Sequence, residues 1–225
     1  MDRMSRDLLS RTALFVVALA AMIFLPAWSL RYWQGLVYWL LFSACTVAAG
    51  VYFLKRDPAL VRRRMRTGVT AETEPAQKVI LAFASVFLVA TYIVSALDHR
   101  LRGPAVPPLV VILANACVVL GYVVVGLTLR ANTFAASTVT VEAGQTVVSS
   151  GPYAIVRHPM YSGGILMFLA TPLALDSWRG LVPAALMSAA IVARLIHEER
   201  VMERGLPDYA AYRRKVRYRL LPLIW

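Results

Sequence analysis

Apolar residues gather along this chain in long, nearly unbroken runs rather than in the every-third-or-fourth stripe of a soluble helix. Thr12 to Leu30, Trp33 to Leu54, Gln77 to Leu97 and Val106 to Leu129 each reach the roughly 20 residues that a helix needs to cross hydrocarbon. Two further segments, Tyr161 to Leu175 and Trp178 to His197, are parted only by Asp176 and Ser177, which suit a turn and a helix N-cap. The pair predicts a tight helical hairpin, whose first arm at about 1.5 Å per residue reaches only about 22 Å unless it extends at an end. The pattern as a whole predicts an all-α, polytopic transmembrane bundle of about six helices.

The polar breaks carry their own signals. Lys55 to Pro75 is basic, with Arg62-Arg63-Arg64-Met65-Arg66 at its centre, and predicts a headgroup-facing segment or a gate for a lipid-like substrate. Pro104, Pro107 and Pro108 mark a short loop. Ala131 to Met160 is the longest break. Within it Thr138 to Glu142 alternates polar and apolar residues, Ala143-Gly144 supplies a turn and Gln145 to Val148 can return, which predicts a small hairpin over the mouth of the bundle. The chain thus divides into a four-helix transmembrane portion, 1–130, and a portion of loop, hairpin and tail, 131–225, within one domain.

Composition supports the membrane reading: 59% of the 225 residues are hydrophobic and the mean hydropathy is +0.63. Charge then sets an orientation. With a cytoplasmic N-terminus, all of the 24 Lys and Arg fall on the cytoplasmic side except Arg31, Arg100, Arg102 and Arg179. Both termini and the 131–160 loop are therefore expected to be cytoplasmic, and the net charge of +12 is accounted for by topology and anionic lipid, with no nucleic-acid partner. The first run is expected to stay in the mature protein, since no small-residue cleavage site follows it and Trp28 and Trp33 suit interfacial anchors. Cys45 and Cys117 lie in separate apolar runs and predict neither a disulfide nor a metal site.

Chemistry concentrates in Gly151-Pro-Tyr-Ala-Ile-Val-Arg-His-Pro-Met-Tyr161-Ser-Gly-Gly164, which sets rings, polar groups and glycines where a membrane helix begins. A helix starting near Pro159 leaves backbone N–H donors unpaired at the mouth, suited to an anionic group. His158, Tyr153 and Tyr161 add side-chain donors and acceptors, and Gly163 and Gly164 allow close approach of backbone or ligand. Arg157, His158 and the glycines fit equally an interface and a helix-packing contact. A second constellation, Arg194 and Glu198, shares one face of the last long helix, with Glu199 on the neighbouring face. Ionisable groups near membrane depth are costly unless they face a cavity, a partner or a ligand.

Gly151-Pro-Tyr-(3)-Arg157-His-Pro-Met-Tyr161-Ser-Gly163, then Arg194-(3)-Glu198-Glu199, then Tyr209-Ala-Ala-Tyr212-Arg-Arg-Lys-Val216 and Pro222 together resemble the isoprenylcysteine carboxyl methyltransferase family. Phospholipid N-methyltransferases and thiol S-methyltransferases stand in the same superfamily. The resemblance covers roughly Ala131 onward. It implies an integral membrane enzyme using S-adenosylmethionine, with Gln145, Thr146, Val147, Val148, Tyr153, His158, Pro159, Met160, Tyr161 and Glu198 at the cofactor and Arg194 as the catalytic, substrate-side residue. It makes 131–225 the catalytic portion. It further implies a lipophilic or lipid-like substrate arriving from the bilayer, with carboxyl O-methylation first and N- or S-methylation as alternatives; no metal is called for. Membrane sterol reductases, which use NADPH, share a related architecture, though no Gly-x-Gly-x-x-Gly stretch favours that chemistry. One departure is visible: Glu203-Arg-Gly205-Leu-Pro-Asp208 replaces the family's phenylalanine-glycine step, leaving the roles of Tyr209 and Tyr212 open.

Overall fold

The structure is a computed structural model that describes residues 3–65, 70, 72, 74–134 and 146–225. Each long apolar run becomes a helix. They are α1 (Arg3–Ala27), α2 (Trp33–Arg56), α4 (Pro75–Arg102), α5 (Pro108–Ala131) and α7 (Leu181–Gly205), accompanied by the shorter α3 (Pro58–Met65), α6 (Pro159–Ala174) and α8 (Tyr209–Lys215). Proline opens α3, α4, α5 and α6, where its missing N–H costs nothing. Among the described residues there is no strand. Thr138 to Glu142 and Gln145, in the expected hairpin, lie outside the described residues, while Thr146 to Val148 run as irregular chain.

Among the described residues five helices, rather than six, are long and apolar enough to cross a membrane. The exception is α6, which with 16 residues spans about 24 Å, short of a hydrocarbon core of roughly 30 Å. It ends early because Asp176, at φ 58°, and Ser177 turn the chain while still fully buried. Asp176 accepts the Ala105 and Val106 N–H groups at 3.0 and 2.7 Å and pairs with His99 at 2.8 Å. Ser177 donates to Asp98 at 2.8 Å. These bonds supply the partners that a buried polar turn requires. The N-cap position of α7 falls to Gly180, so Ser177 caps the turn rather than the helix.

The five long helices leave most of their residues uncovered: between 11% and 33% of each apolar span is buried. Large side chains such as Leu14, Val17, Phe83, Val86 and Leu109 therefore point outward, as lipid-facing residues do. Together with the apolar spans this makes the chain a multi-pass membrane protein. Inside, Leu19, Ile23, Tyr38, Tyr92, Val118 and Ala174 form the core, with the Tyr38 hydroxyl 3.0 Å from both Tyr92 and Thr171.

The closest crossing joins α5 to α6. A Cβ placed on Gly121 would lie 2.7 Å from the Gly163 carbonyl oxygen, and one on Gly163 would lie 2.9 Å from that of Gly121. Gly163 is thus held by helix packing. Gly121→Ala is expected to destabilise the protein by about 1–3 kcal/mol through overpacking against backbone that cannot yield. Gly126→Ala, with nothing within 4 Å, should be neutral; equal melting temperatures for the two variants in detergent would refute this account.

Candidate active site

Three stretches of chain meet at the end of the bundle where α4 begins and α7 ends. The first is 146–163. At its start the N–H of Tyr153 donates to the Ser150 carbonyl at 3.2 Å, closing a single turn over Gly151–Ala154. Gly151 sits at φ 57°, a left-handed conformation that favours glycine. Beyond this turn the N–H groups of Arg157 and His158 donate to the carbonyls of Tyr218 and Arg219, each at 2.9 Å. The N–H groups of Arg157 and His158, just before the helix, are thus committed to the chain's own tail.

The second stretch is the end of α7, where two adjacent glutamates do different work. Glu199, 3% exposed, accepts from Arg157 Nε at 2.6 Å and lies 3.2 Å from His158 Nε2 through one oxygen, and accepts from Arg219 Nε at 2.9 Å through the other. Arg157 also donates to the carbonyls of Val216 and Arg217 at 2.9 and 2.7 Å. One buried carboxylate therefore ties the motif, α7 and the tail together. Glu198 turns the other way and accepts from the Tyr161 hydroxyl at 2.5 Å. That hydroxyl in turn accepts from Arg194 Nε at 3.2 Å.

Arg194 is fully engaged. Its Nη1 donates to Gln77 at 3.0 Å and its Nη2 to Glu72 at 2.6 Å. Glu72 is 2% exposed and precedes α4, while Gln77 also reaches the Arg194 carbonyl at 3.2 Å and His197 Nδ1 at 3.0 Å. A buried arginine with a carboxylate on one prong is a neutral pair.

The third stretch is α8, which roofs a cleft. Thr146, Val147, Val148, Tyr153, His158 and Glu198, all expected at a cofactor, line it together with Asn132, Met202, Leu206, Tyr209 and Tyr212. Tyr212 donates to the Tyr153 carbonyl at 2.8 Å, and Asn132 donates to the Tyr153 hydroxyl at 3.2 Å. Burial pushes the Tyr153 phenol up to about 12, outweighing the opposing Asn132 bond. Burial likewise raises Tyr209 and Tyr212. All three therefore present neutral hydroxyls and flat apolar faces at neutral pH.

The other expected residues lie apart. Tyr161 and Arg194 stand immediately behind Glu198. Pro159 lines a groove on the far side of the motif. Met160 packs against Phe53, Leu60, Val61 and Leu129, and its sulfur accepts from Arg64 Nη1 at 3.5 Å. Gln145 lies outside the described residues. Glu72, Gln77 and Arg219 went unread as site residues. Their partners are between 20 and 122 residues away, so no local spacing announces them.

Residues 109–208 match the phospholipid methyltransferase family model. This portion of the chain is similar to the phospholipid methyltransferases, a family that stands in one membrane methyltransferase superfamily with the isoprenylcysteine carboxyl methyltransferases. The match takes in nearly all of α5, then the 131–158 loop, α6 and α7, and therefore both the 151–163 motif and the Arg194–Glu198–Glu199 cluster. It covers a little under half of the chain and leaves α1 to α4 outside. Among curated proteins, none matches the chain closely enough to count as a relative. The match and the apolar helices together point to a coarse function, that of a membrane methyltransferase similar to those that act on lipids.

Proposed function

We propose that this protein transfers a methyl group from S-adenosylmethionine, held in the cleft under α8, to a lipophilic acceptor that arrives from the bilayer beside Arg194. The observation that carries the proposal is the Arg194–Tyr161–Glu198 chain of hydrogen bonds, which runs from the cleft wall to the buried Arg194–Glu72 pair. Cofactor side and acceptor side meet at one phenol.

The cleft's chemistry fits the cofactor. Apolar and aromatic walls at Val147, Met202, Leu206, Tyr209 and Tyr212 suit a flat heterocycle, while Glu198, Asn132, Tyr153 and His158 offer a carboxylate, an amide, a hydroxyl and a ring nitrogen to an amino acid and a ribose. The cleft holds about 80 Å³, so its walls part when a nucleoside-sized ligand enters. Once bound, the sulfonium supplies an activated methyl group, and the protein's task is to align the acceptor and exclude water. The excess of Lys and Arg at this end of the bundle, which also holds both chain ends, supports a cytoplasmic position for it.

Charge balance favours an amino headgroup as acceptor. Glu72 already neutralises Arg194, and Glu198 adds a second carboxylate across Tyr161, so a cationic ammonium group is attracted where a carboxylate is opposed, and one of these carboxylates takes the proton that the nitrogen must lose before its lone pair attacks the methyl carbon. The phospholipid methyltransferase match supports the same choice. Carboxyl O-methylation is the second reading. It rests on the planar guanidinium of Arg194, which can orient a carboxylate through two hydrogen bonds once Glu72 withdraws.

Labelled S-adenosylmethionine, offered with phosphatidylethanolamine or with a long-chain or prenylated acid, decides between them. Label is expected in an N-methylated headgroup, from which alkali releases no labelled methanol, and Glu72→Gln should lower that transfer about tenfold or more by removing the carboxylate that draws the amine in. Label confined to an alkali-labile ester would establish the second reading. Absence of cofactor binding by calorimetry would overturn both.

A further inference from the structure

A groove of about 840 Å³ runs along the outer side of the motif, between α5, α6 and the C-terminal tail. Its walls are apolar: Val124 and Leu127 from α5, Leu166 from α6, Val156 and Pro159 from the motif, and Leu220 from the tail. Two arginines, Arg56 at the end of α2 and Arg130 at the end of α5, stand exposed at its mouth. A second groove of about 300 Å³, floored by Ala48, Ala49 and Gly126, lies between α2 and α5. The two grooves share Leu127 and Arg130. They adjoin along α5, where Leu127 and Arg130 form the ridge between them.

Neither trough belongs to the cleft. Val156 and Pro159 face the larger groove, while Arg157 and His158, between them in the chain, face the cleft. The motif is a wall between the cleft and the groove.

We infer that the ridge at Leu127 is straddled by one diacyl anionic phospholipid, its two chains in the two troughs and its phosphate on Arg130 and Arg56. The reasons are geometric and electrostatic. From Arg130 to Val124 is six residues, or about 9 Å down a helix, so the troughs run from the headgroup level into hydrocarbon. Two arginines in one lining attract a negatively charged phosphate and offer it their forked donors. Because Leu220, Leu221 and Pro222 form one wall, the lipid also covers the tail from the bilayer side.

Native mass spectrometry of the detergent-released protein, titrated with phosphatidylglycerol, phosphatidylcholine, lysophosphatidylglycerol or inorganic phosphate, tests the site. One phosphatidylglycerol should be retained at about tenfold or greater preference over the other three. The Arg56→Gln/Arg130→Gln double variant is expected to lose that preference. So is Leu166→Trp, which fills the larger trough without altering charge. Arg214→Gln/Lys215→Gln, on the exposed face of α8, should keep it. Equal retention of phosphatidylcholine, a preference surviving either groove variant, or an equal loss in the α8 control would each overturn the inference. Binding of S-adenosylmethionine is read separately, so failure here leaves the methyltransferase proposal standing.

Discussion

Glu199→Ala is expected to cost about 3–5 kcal/mol of stability and to free the C-terminal tail, because it strands two buried or half-buried guanidinium groups around an empty position. Arg157 is 6% exposed and spends its other donors on the carbonyls of Val216 and Arg217. Without Glu199 it carries an uncompensated charge, and it also holds the backbone on which the tail is hung. Arg219 on the second carboxylate oxygen is more exposed, so Arg219→Ala should cost less. Differential scanning in detergent gives the stability loss, and limited proteolysis beyond Val216 reports the tail. If Glu199→Ala melts with the wild type and its tail stays protected, the clamp is not what holds this end together. Glu199→Gln, which keeps the shape but loses the charge, should fall between the two.

The long helices were legible because each apolar run serves a single purpose. Nothing interrupts 33–54 or 108–129 that a bilayer would reject, so the run and the helix coincide to within a few residues. The sequence pattern failed where polarity and burial part company. Asp176-Ser177 reads as a turn after an arm expected to run short, and the turn and the short arm are both there; what the pattern does not reveal is that both residues are fully buried and bonded to α4 and the loop before α5. That is why the sixth helix stops short. α3 was hidden for a related reason: three consecutive arginines mask Leu60 and Val61, which are buried beneath them, and the Asp57 carboxylate that accepts the Leu60 N–H at 2.9 Å looks like any loop acid.

At the site, local spacing carried Arg194 and Glu198, because an i, i+4 pair declares its shared face. The same reasoning placed Glu199 on a neighbouring face, but its meaning depends on Arg157 and Arg219, which only the fold brings to it. Glu72 was further out of reach. An acid in a basic stretch that also holds Glu74 has no periodicity to read, yet it is Glu72 that pairs with Arg194. With the departure at Gly205 in place, the Tyr212 hydroxyl donates to the Tyr153 carbonyl at the edge of the cleft.

Arg194 and Glu198 are expected to separate binding from turnover. Glu198→Ala removes a carboxylate from the cleft wall and should weaken S-adenosylmethionine about tenfold to a hundredfold, the range for one charge-assisted hydrogen bond. Arg194→Ala leaves the cleft wall in place, so cofactor affinity should change by no more than about twofold while kcat/KM falls about a hundredfold or more through lost acceptor alignment. A complication is built into the second variant, since it leaves Glu72 buried without its partner and part of the loss is then one of folding. The double variant Arg194→Met/Glu72→Gln removes both charges and should recover stability without recovering turnover. Tyr161→Phe completes the set: it cuts the link between the two sides, and an effect on turnover larger than on cofactor affinity would place the phenol at the acceptor. Calorimetry and single-turnover transfer on the same preparations read both quantities. If Arg194→Ala abolished cofactor binding while Glu198→Ala left it intact, the assignment of the two sides of Tyr161 would have to be exchanged.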